Sequence, residues 1–329
     1  MSSTNNRADQ HDNNSVNESR LIHFHISFFA TVMGLSGLTL AWKAAGQSIL
    51  PGAYLVLGGF SSLVMLIITA IYLLKAIRYP DAVLSEARHP IRLNFFPAFS
   101  ISLLLLSVVW EHFTPVSQGL WVTGSVIQLC LTIYVMSSWI HHTHYTLAHA
   151  NPSWFIPVVG NIIVPITGSH LGYTEISWFF FSIGIVFWII LLTIVMYRLF
   201  FHEPLPARLT PMLFILLAPP SVGLVSYTSL VGEIDIFARV LYYIALFLGI
   251  LLFSNIIRFM KVPFFISSWA YSFPVASLTI ATTKMSGFIP GTFFSVLKYL
   301  LLALVSVLLF WLIIRTANAI VKKQICLPE

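Results

Sequence analysis

LTPMLFILLAPPSVGLVSYTSL, residues 209–230, decides the fold class. The run carries no charged side chain, and at 1.5 Å per helical residue it is as long as a bilayer's hydrocarbon core is thick. Pro211, Pro219 and Pro220 nevertheless lie inside it. A proline removes one helical hydrogen bond and its ring crowds the carbonyl one turn back. In lipid, any carbonyl freed in this way has to meet protein or water. The run reads as a membrane span packed among other helices.

Composition extends this reading to the whole chain. Of 329 residues, 58% are hydrophobic and 9% are charged. So few charges cannot cover a water-soluble globule of this length. Two cysteines exclude a disulfide scaffold and a multi-cysteine metal site. The 17 basic residues are too dispersed for a nucleic-acid surface. The expected class is an all-α integral membrane protein. Ten spans are expected, at 24–43, 53–75, 93–110, 119–140, 153–169, 175–200, 209–230, 236–257, 264–285 and 292–318. Continuous rather than alternating apolar runs argue against a β-barrel. Residues 1–22 read as a polar tail without the apolar core of a signal peptide, 23–318 as the membrane domain, and 319–329 as a short basic tail.

Ten spans place both termini on one side. That side collects thirteen of the 17 basic residues, leaving Lys43, Arg239, Lys284 and Lys298 on the other. This asymmetry predicts cytoplasmic termini. Interior prolines fall on the odd-numbered spans: Pro97 on the third, Pro157 and Pro165 on the fifth, three on the seventh and Pro274 on the ninth. The first span carries Gly34 and Gly37 instead. Odd helices are therefore expected to form a buried inner set and even helices a lipid-facing ring, as five hairpins in two layers. Kinks scattered for packing alone are the alternative.

No Asp or Glu falls mid-span. Glu111, Glu175, Glu233 and Asp235 sit at outer ends, and Asp81, Glu86 and Glu203 in loops. Proton- or sodium-coupled transport usually leaves ionisable groups at membrane depth. Their absence, with a net positive cytoplasmic side, favours small anions as permeants, although freed carbonyls favour cations. Lys284, Lys298 and Arg239 read as interfacial, with their ammonium or guanidinium groups snorkelling outward.

Several strings on the odd spans resemble one known family. They are Phe29-Ala-Thr-Val-Met-Gly34 with Leu40-Ala41-Trp42, His89-Pro90-Ile91-Arg92, Asn151-Pro152-Ser153 with Pro157 and Asn161, Leu217-Ala218-Pro219 with Ser226-Tyr227, and Trp269-Ala-Tyr-Ser-Phe-Pro274. Together, over about residues 24–318, the chain resembles the tellurite-resistance protein TehA and the slow-type anion channels, with their dicarboxylate and sulfite transporter relatives. The resemblance implies ten helices per protomer, five inner helices around a pore, a homotrimer, and passive conduction of small monovalent anions such as chloride or nitrate across a bacterial inner membrane. It also implies a phenylalanine gate, which the match places at Phe273. Gly34, Pro97, Pro157, Pro219 and Pro274 then shape the pore, and Pro274 is expected to kink the helix and aim the Phe273 ring.

The remaining candidates are weaker. His141, His142, His144 and His149 share one loop, with spacings that can bind a metal. They lack a nearby carboxylate, so a solvated loop is expected. Cys130 lies in an apolar span and Cys326 in a tail, and neither suggests a nucleophile. Trp42, Trp110, Trp121 and Trp139 read as an interfacial aromatic belt, and Gly58, Gly59 and Gly184 as close helix contacts. No phosphate loop, nucleophile elbow or zinc motif is present, so no enzyme activity, cofactor or metal is expected. The competing functions are a secondary carrier for dicarboxylate, sulfite or tellurite, which needs a saturable site with an inward Arg or Lys, and a membrane enzyme built on the histidine loop.

Overall fold

The computed structural model describes residues 20–141 and 145–327. Its long helices are α1 (Phe29–Ala45), α2 (Ala53–Arg78), α3 (Pro97–Val109), α4 (Thr114–His141), α5 (Phe155–His170), α6 (Thr174–Phe201), α7 (Ala218–Val231), α8 (Ile236–Ser254), α9 (Ser272–Phe288) and α10 (Thr292–Val321). Among the described residues there is no strand. Eight helical runs are long and apolar enough to cross a membrane, the exceptions being those that contain α5 and α9. The protein is a multi-pass, all-helical membrane protein.

The odd helices share a device that the even ones lack. Each follows a 3₁₀ lead: Ile26–Phe28, Arg92–Phe95, Pro152–Trp154, Thr210–Leu217 and Ile266–Tyr271. The prolines sit where the lead becomes α-helix. Pro97 opens α3, Pro157 lies in the first turn of α5, Pro219 and Pro220 in that of α7, and Pro274 in that of α9. Pro274 therefore starts a helix rather than kinking one, contrary to the sequence expectation. The physical reason is that first-turn N–H groups have no partner inside the helix, so a residue without an N–H fits there at no loss. Pro165 in α5 is the interior proline among the described helices. It leaves the Asn161 carbonyl without its helical donor. One turn on, the Trp121 indole from α4 donates to the Val164 carbonyl at 2.8 Å.

Burial sorts the helices. In the apolar windows of the first, third and seventh runs 72–78% of residues are buried, against 22–39% in those of the even helices. In α5 every residue from Phe155 to Gly168 is buried. The odd helices close a ring in which α1 packs on α3, α3 on α5, α5 on α7, α7 on α9 and α9 back on α1. Each even helix packs against the odd helix before it. Val56, Val126, Ile190, Phe247 and Phe310, one from each even helix, are exposed. An outer surface this apolar suits lipid and not water.

Small side chains and polar contacts hold the ring. A Cβ on Gly34 would lie 2.2 Å from Ser272 Oγ, and one on Gly184 would lie 2.3 Å from Ile162 Cγ1. Gly58 abuts Val109, whereas Gly59 has nothing within 4 Å among the described residues of this chain. Ser36 meets Ser61 at 2.8 Å, and Ser107 meets Thr167 at 2.9 Å. The Pro157 carbonyl accepts from Gln128 Nε2 and Thr132 Oγ1 of α4, both at 2.8 Å. The tryptophans bind inward as well. Trp42 donates to Ser306 and Trp110 to Ser62, Trp121 is buried, and Trp139 stacks on Trp154 at 4.7 Å. The indoles of Trp42, Trp110 and Trp121 thus tie neighbouring helices together through their N–H groups.

A buried ion cluster pins the lead into α1. Lys75 Nζ donates to Glu86 at 2.9 Å and to the Phe24 carbonyl at 2.8 Å, Tyr72 donates to the other Glu86 oxygen, and His25 Nδ1 lies 3.1 Å from Glu86. Burial pushes the Glu86 carboxyl up, but hydrogen bonds from His25, Lys75 and Tyr72 outweigh it and keep the carboxyl below its ordinary value.

The seam at Gly34 gives a direct check. Gly34→Ala drives a methyl into Ser272 and is expected to destabilise the fold by about 1–3 kcal/mol, the usual range for overpacking. Gly59→Ala, on an open face, is expected to change the thermal midpoint in detergent little. Equal midpoints for both variants would contradict the seam.

Candidate functional site

Within α9, Phe273, Ser277, Ile280 and Lys284 recur at the three- and four-residue spacing of one helix face. That face borders the centre of the five-helix ring. A cavity of about 470 Å³ opens at the C-terminal ends of the odd helices, lined in part by Leu40, Leu105, Ile166, Val222, Phe273 and Ser277. A second cavity, of about 50 Å³, lies toward their N-terminal ends among Ala30, Met33, Ile101, Ile163, Ile215 and Phe273. All five odd helices contribute to both cavities, and the Phe273 ring borders both. The ring is 6% exposed.

Local structure places the ring. The 3₁₀ lead ends at Tyr271, and Ser272 Oγ donates to the Trp269 carbonyl at 2.5 Å while Trp269 Nε1 donates to Thr316 of α10 at 2.9 Å. Gly34 leaves room for Ser272. One turn further along α1, Gly37 leaves room for the ring itself, because a Cβ there would stand 3.2 Å from Phe273 Cδ2 and 3.0 Å from Ala276 Cβ. Phe273 thus rests on a glycine surface and presents its ring between the cavities.

The larger cavity carries charge that the smaller one lacks. Lys43, Glu111, His170 and Lys284 border it. Lys43 Nζ donates to the Val108 carbonyl at 2.8 Å and lies 2.8 Å from Glu111 Oε1, and His170 Nδ1 lies 3.7 Å from Glu111 Oε2. His170 and Lys43 hold the Glu111 carboxyl down to about 2, against the upward push of burial.

Of the residues expected to shape a pore, Phe273 and Pro274 border a cavity, and Gly34 lies in the α1–α9 seam. Pro97, Pro157 and Pro219 set where helices begin. Gly37, Lys43, Glu111, His170 and Lys284 are additions. Lys284 in particular faces the cavity rather than the lipid interface. Counting turns along the ninth span from Phe273 would have found it. His141 and His149 bind locally, to the Ser137 carbonyl and the Thr146 N–H, and His142 and His144 lie outside the described residues. Among the described residues no group of His, Cys, Asp and Glu is placed to hold a metal.

The profile of the family described as voltage-dependent anion channel (SLAC1) matches residues 23–317. The chain belongs to this family. It is 30% identical over 310 residues to the S-type anion channel SLAH3 of Arabidopsis thaliana, covering 90% of this chain and 48% of that protein. It is 30% identical over 284 residues to the guard cell S-type anion channel SLAC1 of the same plant, covering 82% and 51%. It is 27% identical over 265 residues to the tellurite resistance protein TehA homolog of Haemophilus influenzae, covering 78% and 79%. The chain spans about half the length of these plant relatives.

The Lys43–Glu111–His170 clasp has a pH signature. Glu111 is held below the ordinary 4.5. Its contribution to stability is therefore full above about pH 4.5 and is lost as pH falls toward about 2. Glu111→Gln is expected to lower the thermal midpoint at pH 7, and the gap to the parent should close as the pH drops through that window. A gap that does not change with pH would show that the clasp does not stabilise the fold.

Proposed function

We propose that the protein is a passive channel for small monovalent anions, chloride and nitrate among them, with a pathway through each protomer that Phe273 occludes. The observation that carries this reading is the position of one apolar ring as the shared wall of two cavities inside a closed ring of five buried helices. An apolar constriction dewets, so an ion must shed water to pass it. The relatives named as anion channels, and the net positive lining of the larger cavity, support an anion as the permeant.

In this reading all ten long helices cross the membrane as five hairpins. The runs containing α5 and α9 count as spans because their neighbours bury them on every side. The same reading takes the membrane to be a bacterial inner membrane with both termini cytoplasmic, an orientation that the basic-residue asymmetry supports. Assembly as a homotrimer follows the family resemblance, and the apolar faces of the even helices suit either lipid or a second copy. Pro97, Pro157, Pro219 and Pro274 shape the path by setting where each inner helix begins, and Gly34 does so by admitting α9.

One observation favours a second reading, a carrier for dicarboxylate, sulfite or tellurite. Such a carrier needs a basic side chain facing its cavity, and Lys284 is one. Flux coupled to a second ion and without unitary current would mark a carrier, whereas ohmic unitary current marks a channel.

Planar-bilayer recording with anion substitution tests the gate. Phe273→Ala is expected to raise anion current at least about tenfold, equivalent to lowering the barrier by about 1.4 kcal/mol. Unchanged current from a well-folded Phe273→Ala protein would remove the ring from the path.

A further inference from the structure

We infer that Lys284 forms an anion-capture site in the larger cavity, holding one small inorganic anion three helical turns from the Phe273 ring. The inference rests on the anion-channel reading above and deepens it, because it assigns the field that draws the anion in to one side chain. Lys284 lies eleven positions after Phe273 along α9, a rise of about 16.5 Å at 1.5 Å per residue.

An anion in the larger cavity can be bound only by groups with a free proton or a net charge. The hydroxyls on its wall are already engaged as donors: Ser277 to the Pro274 carbonyl at 2.8 Å, Thr283 to that of Thr279 at 2.8 Å, and Ser229 to that of Val225 at 2.9 Å. They present lone pairs to the cavity. Lys43 is engaged by the Val108 and Val109 carbonyls and by Glu111, whose charge it cancels. His170, on the rim, faces the other Glu111 oxygen and is 56% exposed. Lys284 is half-buried in the same wall, yet it forms no ion pair or hydrogen bond among the described residues. Its three N–H groups and its unit charge are the donors and the charge left over. Low-dielectric walls concentrate that field within the cavity.

Lys284 also differs from its neighbour in sequence. Lys298 is not part of the cavity wall and lies over the Tyr299 ring, 4.9 Å from its centroid. It serves as an internal control for a surface lysine on the same side of the protein.

The test is planar-bilayer recording of the full chain carrying Phe273→Ala, so that the cavity and not the ring limits current, in potassium chloride from about 10 mM to 1 M. Salt separates the outcomes, because the screening length falls from about 30 Å to about 3 Å over that range. Lys284→Gln is expected to reduce unitary chloride conductance about threefold at the low end, to raise the half-saturating chloride concentration, and to change conductance little at 1 M. Lys284→Arg is expected to restore the low-salt conductance, and Lys298→Gln to leave it unaltered. Thermal midpoints of the variants confirm that each is folded. A parent that conducts while Lys284→Gln keeps its low-salt conductance and half-saturation would overturn the capture site and leave the channel reading standing. Loss of conductance equal at 10 mM and 1 M would also overturn it, since that is a steric and not an electrostatic effect. A parent with no anion current would overturn the channel reading, and the capture site with it.

Discussion

Backbone hydrogen bonding in a medium without water is the constraint on which the rest of this structure depends. Five helices have to be broken enough to leave space at their common axis, yet no broken segment can show bare N–H or carbonyl groups to lipid. The chain resolves this by starting each inner helix late. A 3₁₀ lead carries the backbone inward, and in four of the five a proline follows in the first α-helical turn, where its missing N–H is not needed. Where a proline does fall inside a helix, at Pro165, the outer helix α4 places the Trp121 indole on the adjacent Val164 carbonyl. The outer helices thus do more than shield the ring. They add side-chain hydrogen bonds to its backbone carbonyls through Trp121, Gln128 and Thr132, three large or polar side chains that are buried on a lipid-facing helix.

The same constraint explains the glycines that matter. Hydrophobic driving force between helices is weak in lipid, so association relies on close backbone approach and polar contacts. Gly34 and Gly37 bring α1 against the start of α9, where Ser272 and Phe273 sit. Position in the ring and position of the ring side chain are therefore one problem. The glycine pair that lets the helices meet is also the surface against which Phe273 rests, so a change that loosens the seam should also free the Phe273 ring.

Much of this is legible in the residues alone. Proline on odd runs and its absence from the interior of even ones marks the two layers, because the bilayer penalises a freed carbonyl only on the lipid-facing set. Reading Pro274 as a kink misjudges the local chemistry, because from the sequence a proline that interrupts a long apolar run looks the same as one that begins a shorter helix after a 3₁₀ lead. Hydropathy does not separate the two, and only the register of the lead does. Trp42, Trp110 and Trp121 make contacts that the sequence hides for a related reason. Their positions near span ends fit an aromatic belt, but each indole N–H has a partner in a neighbouring helix that no single span reveals. Gly37, Lys43 and Glu111 were visible as residues but not as neighbours of Phe273, since their contacts join segments far apart in the chain. Lys284, read from the sequence as interfacial, is different, because helical periodicity puts it on the same face as Phe273 and so on the cavity wall once that ring is placed.

The electrostatic arrangement follows from where the charges lie relative to the inner helices. At the C-terminal ends of α1, α3 and α5 the last carbonyls have no helical donors and carry partial negative charge. Lys43 reaches two of these carbonyls, those of Val108 and Val109, while it pairs with Glu111. One lysine thereby offsets both the end of α3 and a carboxylate at the mouth of the cavity. Without it, Glu111 and the end of α3 would leave this mouth of the cavity negative, which favours a cation there. With it, the mouth is close to neutral and a single additional ammonium sets its sign. Neutralisation by Lys43 and attraction by Lys284 are thus two steps of one arrangement, and the second has effect only because the first is in place.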